Sequence, residues 1–283
     1  MGGDENTREG FTYDELPSDL GSNVGTIEIE SGKDIKGTFS GAQYTLYSGT
    51  DYSFKAYAKN SVGTSYGETL TFKTLGGPVY GPTVMDYDGN VYKTITIGNQ
   101  TFTKENFHGT HYANGDPIPN VTDPITWGNL RTRAYCYFNN DPKIGEVYGG
   151  LYNFYVGADP RGLIVGWHVP TGLEWNDLSI FLNGASGMAG TKLMERGGLH
   201  WKNTKFPGTN YTGFTAMPNG FLGLESTTNK FEFSDLGSIS VFWASELFAG
   251  YGCAADISAD NCIFSTNILC ILNQGFNLRL MKN

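Results

Sequence analysis

The stretch GWHVPTGLEWNDLSIFLNG, Gly166 to Gly184, contains the strongest signal for local structure in this chain. Thr171 and Glu174 have the spacing of a capping box, with Thr at the N-cap and Glu at the third helical position. Apolar side chains then recur at helical spacing on one face: Trp175, Leu178, Phe181 and Leu182. Asn183-Gly184 supplies a stop signal. The sequence therefore predicts a capped amphipathic helix between Thr171 and Gly184.

Strand signals dominate the residues before this helix. Residues 86–107 alternate between apolar and polar side chains and contain two turn signals, Asp88-Gly89 and Gly98-Asn99, which is typical of consecutive hairpins. A second short helix is predicted from Ala189 to Gly197, and beyond it the chain has few helix formers. We therefore predict an α+β class with two helices packed against a twisted antiparallel sheet.

The first 76 residues predict a separate small β module. Period-two alternation marks strands at 26–30, 50–60 and 69–74, and GFTYDE is expected to be a middle strand. The later strands resemble those of a fibronectin type III-like sandwich, with the preceding strands missing, so the module is expected to be N-terminally truncated. A Gly- and Pro-rich linker is predicted at 77–82, followed by the main domain at 83–283.

Composition and charge exclude several classes of function. The net charge of -9 and the lack of a basic patch argue against a nucleic-acid partner. No apolar run is long enough for a membrane-spanning helix, so direct membrane insertion is not expected. Abundant Gly (39 residues), many aromatic residues and few charges (17%) are typical of extracellular β-rich proteins. We expect an extracellular or cell-surface location, with any export signal removed or outside this sequence.

Several motifs occur in the order seen in one known family: residues 86–107, GWHVPTGLEW (166–175), GFTAMPNGF (213–221) and GFNLRLMKN (275–283). The chain from about residue 80 to 283 resembles the Fibrobacter succinogenes major paralogous domain. That resemblance implies a C-type lectin-like fold related to the formylglycine-generating enzymes. It also implies a secreted or surface protein whose function is binding.

The resemblance also implies a disulfide that this chain lacks. Members of the family commonly carry one cysteine before GW and another near the C-terminal strand. The matching positions here are Leu163 and Leu280. Loss of both cysteines together is what replacement of a disulfide by an apolar pair would produce.

Three of the four cysteines lie in GCAADISADNCIFSTNILCILNQ, Gly252 to Gln274. Cys253, Cys262 and Cys270 are too far apart for the tight knuckles of a structural zinc site, and no His lies nearby. The same window has no Lys, Arg or His to lower a thiol pKa. The resemblance leaves an oxidase of the formylglycine-generating type as the alternative function, but the close cysteine pair of that group is missing. We predict no cofactor, no metal site and no catalytic residue.

The run from Leu247 to Asn273 lacks Lys, Glu, Gln, Trp and Met throughout. All its residues have codons that end in a pyrimidine, as randomised Asn codons would. One hypothesis is therefore a segment diversified by a reverse-transcription element. A simpler explanation is a Gly- and Asn-rich β region, since residues 106–126 lack the same five types.

In either case the run predicts a contact surface, because exposed apolar and small polar side chains suit protein recognition. The predicted binding residues are Phe248, Tyr251, Cys253, Asp256, Asn261, Cys262, Phe264, Thr266, Ile268 and Cys270. If these side chains point inward instead, the segment is core. We predict a ligand-binding or adhesion protein that is not an enzyme, with a protein favoured over a glycan as the ligand.

Overall fold

The computed structural model describes residues 8–16, 25–29, 46, 49–74, 76–183, 189–202 and 207–283. The chain divides into two compact units, Met1–Gly77 and Pro78–Asn283. Within the described ranges, no helix is both long and apolar enough to cross a membrane.

The first unit contains one antiparallel sheet of five strands. These are β1 (Arg8–Leu16), β2 (Gly25–Ile29), β3 (Asp51–Lys59), β4 (Thr64–Tyr66) and β5 (Leu70–Lys73). β1 lies between β2 and β3, while β4 and β5 both pair with β3. The predicted strands are confirmed, including GFTYDE as a middle strand. The described residues supply only this one sheet, so the predicted sandwich is not seen in them.

The second unit consists mainly of short strands. They are β6 (Val79–Met85), β7 (Val91–Ile97), β8 (Gln100–Thr103), β9 (Tyr135–Cys136), β10 (Leu151–Tyr152), β11 (Trp167–His168), β12 (Asn219–Glu225), β13 (Lys230–Leu236), β14 (Ile239–Phe248), β15 (Tyr251–Ser258), β16 (Phe264–Cys270) and β17 (Met281–Lys282). The α-helices are α1 (Pro124–Gly128), α2 (Pro142–Tyr148), α3 (Phe154–Gly157), α4 (Gly172–Phe181) and α5 (Ala189–Leu193).

The predicted α+β class, a C-type lectin-like fold with two helices against one sheet, is wrong. Strands account for 41% and helices for 16% of the residues, and in the part of the chain that the structure describes the strands form five sheets while the α-helices are five short ones. Even α4, the longest of them, has only 10 residues. The physical reason is composition, because a chain with 39 glycines loses much conformational entropy in long helices.

Helix α4 itself is confirmed, together with its cap. The Thr171 side chain accepts from the Glu174 backbone N–H, and the Glu174 carboxylate accepts from the Thr171 N–H at 2.7 Å. Trp175 and Leu178 are buried as predicted, but Phe181 is 62% exposed and lies against Gly98 instead of the core. The predicted second helix is shorter than expected, since α5 ends at Leu193.

One five-stranded sheet has the order β11-β17-β8-β7-β6. Residues 79–82, predicted as linker, instead begin the edge strand β6. A register shift between Gly81 and Val84 places Pro82 at a bulge, where an edge strand tolerates proline. Inside the sheet, the backbone just before β17 is also bonded: Leu280 O accepts from Thr103 N, and Leu278 O accepts from Phe107 N.

A second sheet, β14-β15-β16, lies between two hydrophobic clusters. Side chains of one face join the cluster that contains Trp175 of α4: Phe242, Ala244, Cys253, Ala255 and Ile257. Side chains of the other face join a cluster that contains Phe154 of α3: Val241, Trp243 and Ala254. Because both faces are buried, the apolar residues of β14 and β15 follow one another without the apolar–polar alternation of a half-exposed strand.

A third cluster lies below the β12–β13 hairpin. Its buried residues include Trp127 of α1, Cys136, Leu222 and Phe231. Phe231 lies directly against Gly128, where an added Cβ would be 2.8 Å from the ring. This contact places α1 beside the hairpin.

Leu163 and Leu280, the positions at which the resemblance implies cysteines, are both buried. They are 3% and 1% exposed and belong to the same cluster as Trp243. Two apolar side chains thus occupy the interior where the resemblance implies a disulfide.

Arg279 is fully buried, and among the described residues no carboxylate is bonded to it. Its guanidinium donates to three backbone carbonyls, those of Thr103 (3.1 Å), Lys104 and Phe214 (2.8 Å), and to the Asn106 Oδ1 (2.8 Å from Nη2). The guanidinium also lies 4.1 Å from the centroid of the Phe214 ring. Burial lowers the pKa of Arg279, as expected for a desolvated charge.

A second charged cluster is centred on Asp159, whose side chain is 1% exposed. Its carboxylate accepts from Arg161 Nε at 2.8 Å and pairs with Arg133 at 2.5 Å. Arg161 also bonds Asp116 at 2.9 Å and lies 3.7 Å from the centroid of the Tyr112 ring. Hydrogen bonds from Arg161 are the main cause that lowers the pKa of Asp159 to about 2.

Candidate functional site

The predicted binding residues fall into three groups. Phe248, Tyr251 and Asn261 are exposed, and Asp256, Thr266, Ile268 and Cys270 are half-buried. Cys253, Cys262 and Phe264 are buried in the cluster around Trp175, at 4%, 0% and 4% exposure. For these three residues the structure matches the alternative that the sequence left open, in which the side chains belong to the core.

The cysteines of this sheet are poor nucleophiles. Burial raises the pKa of the Cys270 thiol to about 12, with smaller contributions from Asp256 and Cys253. Burial and then Glu246 raise the pKa of Cys253. Both thiols therefore stay protonated near neutral pH, and the thiol is far less reactive than the thiolate. Burial also raises the pKa of Asp256, which Ser265 opposes by a hydrogen bond.

The tip of the β14–β15 hairpin is the most exposed apolar part of this sheet. Leu247, Phe248 and Tyr251 are 54%, 64% and 47% exposed, and Phe248 pairs across the hairpin with Tyr251. Between them, Ala249 and Gly250 have φ of 52° and 86°, the left-handed conformation of a type I′ turn. Alanine is strained there because its Cβ approaches the following carbonyl oxygen.

We expect Ala249→Gly and Ala249→Asn to stabilise the second unit by about 1 kcal/mol, since both residues adopt positive φ at lower cost. Urea unfolding followed by tryptophan fluorescence measures the change, because all five tryptophans lie between Trp127 and Trp243. Ala158→Asn is the matched control, as Ala158 is exposed and has an ordinary φ of -90°. A destabilised Ala249→Gly variant would contradict the assigned turn.

An open groove of about 830 Å³ lies beside this tip. Its walls come from four parts of the second unit: α1 and the residues around it, Tyr155 of α3, the end of the β12–β13 hairpin, and the Gly250-Tyr251 turn with residues 271–273. Apolar and aromatic side chains line much of it: Ile125, Tyr155, Leu224, Phe231, Tyr251, Ile271 and Leu272. The groove thus joins part of the predicted binding segment to elements far away in sequence.

Four charged side chains also line the groove, two of each sign: Asp123, Arg131, Lys230 and Glu232. All four are exposed. Among the residues that the structure describes, no ion pair joins one of the four to another. Their charges therefore face solvent, while Asp123 also caps α1 by accepting from Thr126 and Glu232 accepts from the Thr228 hydroxyl.

Two hydrogen bonds tie the walls of the groove together. Trp127 Nε1 donates to the Asn273 carbonyl at 2.6 Å, and the Asn273 side-chain amide donates to the Gly128 carbonyl. The loop after β16 is thus fixed to α1. This fixed geometry lowers the conformational cost of binding, since the walls need little ordering when a ligand arrives.

Sequence reasoning found only the part of the groove that lies between 247 and 273. It missed Ile125, Leu224 and the four charged side chains, which lie about 15 to 125 residues before Leu247 in the chain. One local signal was available, because Ile125 follows Asp123-Pro124, a helix start that leaves its first turn exposed. No pattern in the sequence brings that turn to the β12–β13 hairpin.

A family model described as the Fibrobacter succinogenes major domain matches residues 95–256, which is more than half of the chain. The chain belongs to this family. No match was found among curated proteins, and none was found among solved structures.

The Fibrobacter succinogenes major domain match lies entirely within the second unit and ends inside β15. It includes α1, the β12–β13 hairpin and the Gly250-Tyr251 turn. The rest of β15 and all of β16 lie beyond the match, together with predicted binding residues 261–270. The family match therefore covers most of the residues that line the groove, but it does not cover β16, the last strand of the three-stranded sheet.

Proposed function

We propose that this chain is an extracellular or cell-surface binding protein that recognises a protein ligand with the exposed end of its C-terminal sheet. The observation that carries the proposal is the hairpin tip, where Leu247, Phe248 and Tyr251 are about half exposed or more beside an open groove. Large apolar side chains grouped on a rigid surface are typical of protein interfaces.

The packing of β14 and β15, the strands that carry the hairpin tip, supports the proposal, because a recognition surface needs a rigid base. β14 and β15 have nearly all their central residues buried, and Trp243 donates from Nε1 to the Tyr152 carbonyl at 2.8 Å. The exposed residues 248–251 thus project from a fully packed sheet. Aromatic side chains held in this way supply contact area at low entropic cost.

The proposal is tested with two parallel probes, a displayed library of extracellular protein domains and an array of immobilised glycans. We expect saturable binding to at least one protein domain, and a loss of about tenfold or more in affinity for Phe248→Ala and Tyr251→Ala. Leu199→Ala is the matched control, since Leu199 is 81% exposed and lies outside the groove. Binding to glycans alone, or equal losses in all three variants, would refute the proposal.

We also propose that the segment from Leu247 to Asn273 is diversified. The supporting observation is the identity of residues with left-handed backbone. Outside this segment, five of the seven described non-Gly residues with positive φ are Asn, whereas two of the three inside it are Ala249 and Cys262. Both residues disfavour that conformation, but both have codons reached by randomising the first two bases of an Asn codon.

The DNA locus tests this second proposal. We expect an adjacent reverse transcriptase gene and a near-copy of the sequence that encodes 247–273, with adenines at the positions that differ. A locus with neither feature would overturn it.

A further inference from the structure

We infer that the groove binds a polypeptide segment in which an apolar side chain is flanked by charges of opposite sign. The inference rests on the proposed function and adds the site, the class of ligand and the residues that set its specificity. It concerns the groove between α1, the β12–β13 hairpin and residues 271–273, most of which the predicted binding residues do not include.

The apolar lining of the groove favours a peptide side chain over a sugar ring. Ile125 and Leu224 are 75% and 43% exposed, and with Ile271 and Leu272 they present branched aliphatic side chains. These aliphatic side chains offer no flat plane for a sugar ring to stack on, and together with the rings of Tyr155 and Tyr251 they pack well against an aliphatic or aromatic side chain of a peptide. Burial of one Leu or Phe side chain there favours binding because apolar surface leaves water.

The charges of the groove also point to a polypeptide. A ligand that complements the groove carries both positive and negative groups. Lys230 and Arg131 attract carboxylates, while Glu232 and Asp123 attract cations. A neutral glycan carries neither charge, and an acidic glycan or a nucleic acid carries only the negative one. A short stretch of protein carries both, a few residues apart.

Polar groups in the groove match the peptide backbone. The side chains of Asn129 and Asn229 are exposed at its edge, and Asn229 lies at the turn of the β12–β13 hairpin. A side-chain amide both donates and accepts, so it can pair with a main-chain carbonyl and a main-chain N–H. Tyr155 adds a hydroxyl group near the apolar residues.

The first experiment pans a displayed library of random peptides against the full chain and two tryptophan variants. Ile125→Trp fills the groove from an exposed position, and Ile180→Trp is the matched control on α4, where Ile180 is 68% exposed outside the groove. We expect enriched peptides with one large apolar residue between an acidic and a basic residue. Their affinity should fall about tenfold or more in Ile125→Trp and stay unchanged in Ile180→Trp.

The second experiment reverses one charge. Lys230 and Glu232 are both exposed, two residues apart in β13, so Lys230→Glu leaves two negative side chains at this wall without disturbing the core. We expect peptides selected on Lys230→Glu to replace their acidic residue by a basic one. Affinity of the peptides selected on the wild type should fall by about fivefold or more.

Failure of this inference is distinguishable from failure of the proposed function. A protein ligand that is weakened by Phe248→Ala but unaffected by Ile125→Trp would keep the function and remove the groove as its site. The inference would also be overturned if the wild-type chain enriched no peptides beyond those that Ile125→Trp enriches. Selected peptides without charge preference, or unchanged by Lys230→Glu, would refute the assigned specificity.

Discussion

Replacement of Arg279 by Met is expected to destabilise the second unit by about 4 kcal/mol. Met has a similar volume, so the loss comes from the acceptors and not from a cavity. Four oxygen atoms, three of them main-chain carbonyls, lose the Arg279 donor, and three of the four bonds are fully buried. Each buried acceptor left unpaired costs about 1–3 kcal/mol, and part of that is offset because a charge no longer has to be desolvated.

The companion variant Arg279→Lys separates charge from geometry. An ammonium group keeps the charge but cannot span four acceptors with the fixed fork of a guanidinium, so we expect a loss of about 3 kcal/mol or more. Lys282→Met is the matched control, since Lys282 is exposed in the adjoining strand β17 and should change stability by less than about 0.5 kcal/mol. Urea unfolding monitored by tryptophan fluorescence gives all three values. An Arg279→Met variant within about 1 kcal/mol of the wild type would show that the carbonyls find other donors.

Acidification is expected to destabilise the second unit by about 2 kcal/mol through Asp159 alone. The pKa of this carboxyl is about 2 in the folded state, because Arg161 and Arg133 bond it, against about 3.9 when unfolded. As the pH falls, the unfolded state therefore binds the proton first, and the equilibrium shifts towards unfolding. The stabilisation is complete above about pH 5 and is lost progressively down to about pH 2.

Asp159→Asn removes the carboxylate and should give a lower stability at neutral pH with a shallower decrease in acid. The matched control is Asp116→Asn, because Asp116 also bonds Arg161 but is exposed. Stability curves at several pH values between 2 and 7 measure both variants. Parallel pH profiles for the wild type and Asp159→Asn would exclude Asp159 as the titrating group.

Local signals predicted local structure well in this chain. The capping box of Thr171 and Glu174 fixed the start of α4, and the turn residues of 86–107 placed the β6–β7–β8 hairpins correctly. The fold class was not predictable from the same signals, since two helix starts say nothing about how many short strands surround them. The fold class instead depends on strand pairing between distant segments. The described residues form 17 strands but only five short α-helices.

The candidate site was predicted only in part, for a physical reason. Within 247–273 the same residue types occur on the exposed hairpin tip and in the buried core. The sequence therefore could not show that Phe248 is exposed while Phe264 is buried. The opposite wall of the groove depends on Phe231 packing against Gly128, a contact over about 100 residues. Arg279 carried one signal, a lone charge within the apolar sequence FNLRLM, which suggests a buried and fully bonded group.

The interior position of β17 has a consequence for folding during synthesis. Residues 278–282 bond β8, β11 and the residues around them and supply Arg279 to the interior, so residues 78–276 alone lack an interior strand of their main sheet. A chain that emerges from its N-terminal end cannot complete the second unit until residue 282 has left the ribosome. Until then the backbone groups of β8 and β11 that bond β17 remain unpaired, so the emergence of residues 278–282 is the event that allows the sheet to form.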